Sequence, residues 1–270
     1  MKLKLQKFIW FLICCCIVYG CILVSCTHTV QFVRDDVLFE KPIETESELF
    51  FIDQSQKELG YVLIYTPANW FIVMNKLDSE FEKTIFDAKN ETQSYKIPLS
   101  YGNGTYEFNL FDSSMQLIHT ETVSIDNIKD EILYTMSNDV INFDSSDLVS
   151  LIASEAYTKA PSNNDYLIIV NQYVHNQITY DEDRRDLDMF VTVDNILTRS
   201  YGVCYEYSKL LTALLRIKNV PCKMVFGDYD KTYHAWCEVY LNDQWIIADP
   251  TLNNITSIDD ILYTNRVKIY

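Results

Sequence analysis

The sequence predicts an α+β protein in which helices pack on an antiparallel sheet, preceded by a small β-sandwich. Three observations predict it. From Leu49 to Ile125, short apolar or alternating runs are separated by turn signals such as Pro67-Ala68-Asn69 and Gly102-Asn103-Gly104, the pattern of strands. From Ser145 to Ile178 the apolar spacing lengthens to that of helices. After one more helical stretch, strand patterning returns from Cys222 to Ala248. The 270 residues suffice for one large domain or two smaller ones, each with its own core. A content of 48% hydrophobic and 22% charged residues excludes a disordered tail and a multi-span membrane protein.

The amino terminus is read first as an address. Residues 1–7 are basic, and Phe8 to Val24 is an uninterrupted apolar run, the layout of an export leader. The run sits at the short edge of what spans a bilayer, so a retained anchor helix is the competing reading. Leu23-Val24-Ser25-Cys26 resembles the lipobox of bacterial lipoproteins, which implies cleavage before Cys26 and acylation of that residue. Residues 1–25 are thus expected to be a lipoprotein signal peptide and 26–45 a polar, acidic tether. Either reading places the body outside the cytoplasm on a membrane, lipid-anchored through Cys26 in the first case. The formal net charge of −16 becomes −19 once the three leader lysines are set aside. A body that acidic repels phosphate backbones, and nucleic acid is excluded as a partner.

Residues 46–126 are expected to form the β-sandwich, with strands over Leu49–Ile52, Gly60–Tyr65, Trp70–Val73, Tyr95–Leu99, Thr105–Phe111 and Leu117–Ile125. Within Tyr101 to Phe111, Tyr106, Phe108 and Leu110 alternate with Glu107 and Asn109, giving one apolar and one polar face. The segment from Tyr101 to Phe111 looks like a strand of immunoglobulin-like modules on bacterial surfaces. Residues 127–270 are expected to be the second domain. Ser145-Ser146-Asp147 offers an N-cap for a helix over Leu148–Lys159, stopped by Pro161. A second helix over Asp165–Ile178 aligns Leu167, Val170, Asn171, Val174 and Ile178 on one face, with Asn171 as the polar interruption. His175 beside that stripe reads as a surface or capping residue.

Tyr180 to Asp188 is acidic, but it lacks the alternating carboxylates and central glycine of a calcium loop and contains Arg184 and Arg185; a solvated loop is the expectation. Of eight cysteines, Cys14, Cys15, Cys16 and Cys21 leave with the leader and Cys26 takes lipid. The remaining Cys204, Cys222 and Cys237 are no disulfide framework, and Cys222 and Cys237 read as small buried hydrophobes, although a bridge between neighbouring strands stays open. No His, Cys and carboxylate set has metal spacing, so no cofactor and no metal are expected. Trp236 and Trp245 read as core aromatics.

The chemistry lies between Tyr201 and Leu252. Gly202-Val203-Cys204 precedes a helical pattern with Leu210, Leu211, Leu214 and Leu215 on one face, closed by Asn219 and Pro221. Cys204 therefore starts a helix, where unpaired backbone N–H groups and the helix dipole favour a thiolate. Gly202 allows a close backbone approach at that point. Strands follow over Cys222–Phe226, Tyr233–Leu241 and, after the turn Asn242-Asp243, Trp245–Ala248. His234 starts the second strand and Asp249 ends the third, so antiparallel pairing can set them side by side with Cys204 near the other imidazole nitrogen.

The segments GVCYEYSKLLTALLRIKNVPCKMVFG and HAWCEVYLNDQWIIADPT are similar to the transglutaminase-like superfamily, over roughly Asp165 to Asn254. The resemblance implies a papain-like α+β core with Cys204 as nucleophile, His234 as general base and acid, and Asp249 orienting the imidazole. The Cys204 backbone N–H is the natural oxyanion donor, and Gln177 is a candidate for a second. The implied reaction is attack on an amide or peptide bond of a protein or peptide substrate at the cell surface, through a thioester. Transfer of the acyl group to water, as in protease-like bacterial relatives of this size, is preferred over transfer to an amine, which would crosslink. A catalytically silent binding module is the reading from another class.

Overall fold

Alternation builds the first part of the molecule. In β2 (Tyr61–Tyr65) Val62 and Ile64 are fully buried between half-exposed neighbours, and in β6 (Gly104–Phe111) Tyr106, Phe108 and Leu110 are fully buried. Each strand thus has one inward face, as its sequence dictates. The computed structural model describes residues 50–77, 79–88, 94–129, 133–183, 188 and 190–270. Cys26, the leader, the tether, Arg184 and Arg185 lie outside the described residues.

Two antiparallel sheets account for the β-rich region. One has the order β1-β2-β5, with β1 Phe51–Asp53 and β5 Ser94–Pro98; the other is β4-β3-β6-β7, with β3 Trp70–Lys76, β4 Thr84–Ala88 and β7 Leu117–Ile125. The strand β4 escapes the sequence reading. It pairs with β3 alone, lies at a sheet edge, and exposes Ile85 while burying Thr84 and Phe86.

The second part is helical and then β. Helix α1 (Asp147–Lys159) is capped by the Ser146 hydroxyl, which accepts from the Val149 N–H at 3.1 Å. Helix α2 (Asn163–Gln177) starts two residues earlier than the period suggests, because Ser162 accepts from the Asp165 N–H. Its buried stripe is Tyr166, Leu167, Val170, Asn171 and Val174, and the polar member is partnered through its nitrogen alone: Asn171 Nδ2 donates to Asn253 Oδ1 at 3.1 Å. A short helix absent from the sequence reading, α3 (Val193–Arg199), has Thr192 as its cap. Strands β8 (Thr179–Tyr180) and β9 (Tyr201–Gly202) pair in parallel, which holds the end of α2 against the segment entering Cys204.

Helix α4 (Cys204–Arg216) is the centre of the domain. The leucine stripe of the sequence is buried, but so is every residue from Tyr205 to Arg216. The polar ones are partnered, except for the Ser208 hydroxyl. The Arg216 guanidinium donates to the carbonyls of Cys222 (2.9 Å), Met136 (3.1 Å) and Tyr270 (2.7 Å), so the helix end is tied to a strand start and to the last residue. Behind α4 stands a five-stranded antiparallel sheet of order β13-β12-β11-β10-β14: β10 Cys222–Tyr229, β11 Thr232–Leu241, β12 Gln244–Asp249, β13 Asn254–Ser257 and β14 Tyr263–Ile269. The sequence reading contains the three central strands and neither edge. Cys222 and Cys237 are buried free thiols sharing the Thr212 hydroxyl, at 3.6 and 3.4 Å.

The two parts join directly within one compact unit, Glu46–Tyr270. Tyr134 Oη donates to the Ser100 carbonyl at 2.9 Å, the Ser100 hydroxyl donates to the Ile269 carbonyl, and the Glu82 N–H meets the Val267 carbonyl at 2.9 Å.

Candidate active site

Three segments converge on one end of the five-stranded sheet. Cys204 is the first residue of α4 and is half-buried. The turn before it is held by Glu206, which is fully buried: one carboxylate oxygen accepts from the Val203 N–H at 2.8 Å, and the other accepts from Arg199 Nη2. This is half of a capping box, since Val203 has no side-chain acceptor to return the bond. Gly202 earns its place here. A Cβ on it would lie 2.9 Å from Glu206 Cβ and 3.1 Å from Glu206 Oε2. The glycine therefore admits the buried carboxylate, which the sequence reading did not anticipate in assigning it a close approach at the sulfur.

His234 lies on β11 opposite Gly227 of β10, and Asp249 ends β12. The register pairs Cys237 with Ala248, which leaves His234 and Asp249 at the same end of adjoining strands. Nε2 of His234 meets Asp249 Oδ2 at 2.8 Å. Cys204 lies near enough to the imidazole to favour its charged form, and with Nε2 turned to Asp249 the nitrogen left for it is Nδ1. Burial works against a charged imidazolium, but the bond to Asp249 and the nearness of Cys204 outweigh it and raise the His234 pKa to about 9. Asp249 is itself fully buried and saturated with donors: Oδ1 accepts from the Thr251 and Leu252 N–H groups at 3.0 and 3.2 Å. The loop after it is pinned from α2, where His175 Nδ1 lies 3.1 Å from the Pro250 carbonyl. The residue read as a surface or capping group thus braces the Asp249 loop.

The remaining predicted groups fall as follows. Gln177 ends α2 and its amide nitrogen donates to Ser200 Oγ at 3.1 Å, beside the β8–β9 pair. Trp236 is fully buried with its ring 6.5 Å from that of His234, a floor beneath the imidazole. Trp245 packs edge-on to Tyr134, away from the triad. Among the described residues no group of His, Cys and carboxylates is arranged to hold a metal ion. Two residues went unnoticed in the sequence. Tyr233, half of whose surface is exposed, stands in the field of Cys204 beside His234. Tyr263, at the start of β14, touches Asp249.

An open concavity lies elsewhere, at the opposite end of β12 from Asp249, lined by Gln244, Trp245, Ile246, Ile255 and Ile258. Neither Cys204, His234 nor Asp249 borders it.

Comparison with known proteins bears on the same segment. Residues 152–250 match the family model described as the transglutaminase-like superfamily. No curated protein sequence matches the chain. Among solved structures, a proposed cysteine protease from Cytophaga hutchinsonii is 16% identical with a TM-score of 0.42, over 76% of this chain and 83% of that one. The periplasmic domain of TgpA from Pseudomonas aeruginosa is 13% identical with a TM-score of 0.40, over 78% and 95%. Red sea bream transglutaminase is 11% identical with a TM-score of 0.33, over 74% of this chain and 48% of that protein.

Proposed function

From the transglutaminase-like domain that residues 152–250 carry, we propose that this chain is a cysteine-dependent acyl-transfer enzyme that cleaves amide or peptide bonds. The observation supporting the reading is the convergence of Cys204, at a helix start, on His234, whose imidazole is hydrogen-bonded to Asp249. His234 Nδ1 takes the thiol proton as Cys204 Sγ attacks the carbonyl carbon to form a C–S bond. The oxyanion that develops faces the Cys204 N–H, one of the first helical amides with no acceptor four residues back. Collapse breaks the C–N bond as His234 gives its proton to the leaving amine, leaving a thioester on Cys204. A water then attacks the thioester carbon as His234 takes its proton, the C–S bond breaks, and the carboxylic acid departs while that proton is returned to Cys204 Sγ. Gln177 has a second amide N–H beyond the one given to Ser200, and we assign it as the second oxyanion donor.

The expected substrate is a protein or peptide outside the cytoplasm. The chain is held at a membrane by acylated Cys26, and its β-rich region is an immunoglobulin-like module, consistent with three strands in one sheet and four in the other. Labelling with a radioactive fatty acid tests the anchor; retention of label after Cys26→Ala would refute it. For the reaction, the full chain is incubated with a glutamine-containing peptide, with and without a lysine-type amine, and products are weighed. Ammonia or a cleaved peptide in the absence of amine is expected. Adducts formed only when amine is present would make it a crosslinking transferase, and no product with an unreactive Cys204 would leave a binding module.

A further inference from the structure

The mechanism leaves one buried group beside the triad without a role. Tyr263 begins β14, beyond residue 250, where the family match ends. Its Oη donates to Asp249 Oδ2 at 3.0 Å, the same oxygen that accepts from His234 Nε2 at 2.8 Å. The reach is long, since β14 lies at one edge of the sheet with β10 and β11 between it and β12. Several features hold the ring in that reach. Tyr229, its cross-strand partner, packs at 4.9 Å between ring centres, and Trp236 meets it edge-on at 5.2 Å. Asn254 Nδ2 approaches the same Oη at 3.4 Å.

The backbone is shaped to allow this. The β10–β14 register shifts between Phe226 and Asp228, which places a bulge in β14 across from Gly227, the residue opposite His234 on the other side. A Cβ on Gly227 would lie 2.6 Å from the Thr264 carbonyl and 2.6 Å from the Trp236 ring. The bare backbone at Gly227 lets β14 close in, next to Tyr263. The phenol is 2% exposed. Burial, and then the nearby Asp249 charge, hold its pKa well above the ordinary tyrosine value, so it keeps its proton.

We propose that Tyr263 is a positioning residue of the acyl-transfer site, a fourth member that fixes the rotation of the Asp249 carboxylate by donating to the oxygen that orients His234. This rests on the acyl-transfer reading for its consequence, but its geometry does not. A carboxylate pinned on Oδ1 by two amides and on Oδ2 by a phenol presents one fixed acceptor to the imidazole, as orienting partners do at other histidines. Without the phenol, Oδ2 carries its charge toward His234 alone and the carboxylate is freer to turn.

The test uses Tyr263→Phe in the full chain, which keeps the ring and its packing. The His234 ring is followed by NMR titration, alone and with Asp249→Asn, and Cys204 alkylation by iodoacetamide is followed in parallel by mass spectrometry. Tyr263→Phe is expected to raise the His234 midpoint by about half a unit and, because the imidazolium that sustains the thiolate is held more firmly, to quicken alkylation below pH 8.5 by up to about threefold. In the Asp249→Asn background it is expected to change neither. An unchanged midpoint in Tyr263→Phe, or an equal shift in both backgrounds, would overturn the assignment. A shifted midpoint with alkylation indifferent to His234→Ala would uphold the positioning and refute the acyl-transfer reading instead.

Discussion

Replacing Asp249 with Asn tests the electrostatic core of the site through stability, with no substrate required. In the folded chain the His234 pKa is held at about 9, against 6.5 for a free imidazole. A folded pKa above the unfolded one adds stability that is complete below pH 6.5 and is lost as pH rises through 9. At roughly 1.4 kcal/mol per unit, the largest loss is about 3 kcal/mol. The ring is nearly buried, its side chain 12% exposed, so solvent screening removes little of this. Lys209 acts in the opposite sense. Fully buried in α4, its pKa falls to about 7 through burial, which the charges of Asp188 and Glu206 only partly offset. Its contribution therefore improves as pH rises from 7 towards 10.5, and the raw wild-type curve mixes both. The difference between wild type and Asp249→Asn isolates the histidine: the imidazole loses its charged partner and keeps its burial, so its pKa falls. Urea unfolding midpoints between pH 5.5 and 9.5 are the assay. Wild type is expected to lose about 3 kcal/mol more than the variant across the window. Parallel curves would refute the reasoning.

Three further outcomes follow from packing. Gly202→Ala sets a Cβ against Glu206 and is expected to cost about 1–3 kcal/mol in urea unfolding while slowing Cys204 alkylation, because the turn held by Glu206 shifts; full reactivity with full stability would show that the turn tolerates it. Gly227→Ala is opposed by backbone carbonyls and by Trp236, and a loss of about 1–3 kcal/mol is expected, with the His234 NMR midpoint moving as in Tyr263→Phe. Arg216→Met strands the carbonyls of Cys222, Met136 and Tyr270 and is expected to lower stability by about 3–5 kcal/mol by thermal or urea unfolding, with Cys204 chemistry unchanged in the remaining folded fraction.

The elements most legible in the sequence are those whose burial is one-sided. Strand β7 spans Leu117–Ile125 as its alternation indicates, and α1 begins at the Ser146 cap. Elements whose residues carry a weak apolar signal were missed. Strand β14 buries only its two ends, Tyr263 and Ile269, and its interior Thr264, Asn265 and Arg266 read as loop. Strand β4 follows a charged stretch, and α3 is seven residues long. At the site, the approach of His234 to Asp249 was legible because pairing of neighbouring strands brings them together. Tyr263 was not. Its contact with Asp249 depends on an edge strand, a bulge in that strand across from Gly227 and a reach across two strands, none of which has a local signature. Glu206 and Lys209 show the same limit: on α4 they look like solvent-facing charges, yet both are buried, because that helix is covered on all sides.

The measurement closest to the centre of the proposal is the pH dependence of Cys204 alkylation in the folded chain, located by mass spectrometry and repeated with His234→Ala. A thiolate sustained by a neighbouring imidazolium reacts quickly well below pH 8.5, where a free thiol is largely protonated, and slows at that pH when His234 is removed. That is the expected result. A Cys204 that titrates like a free thiol, or one whose rate is the same with and without His234, would contradict it.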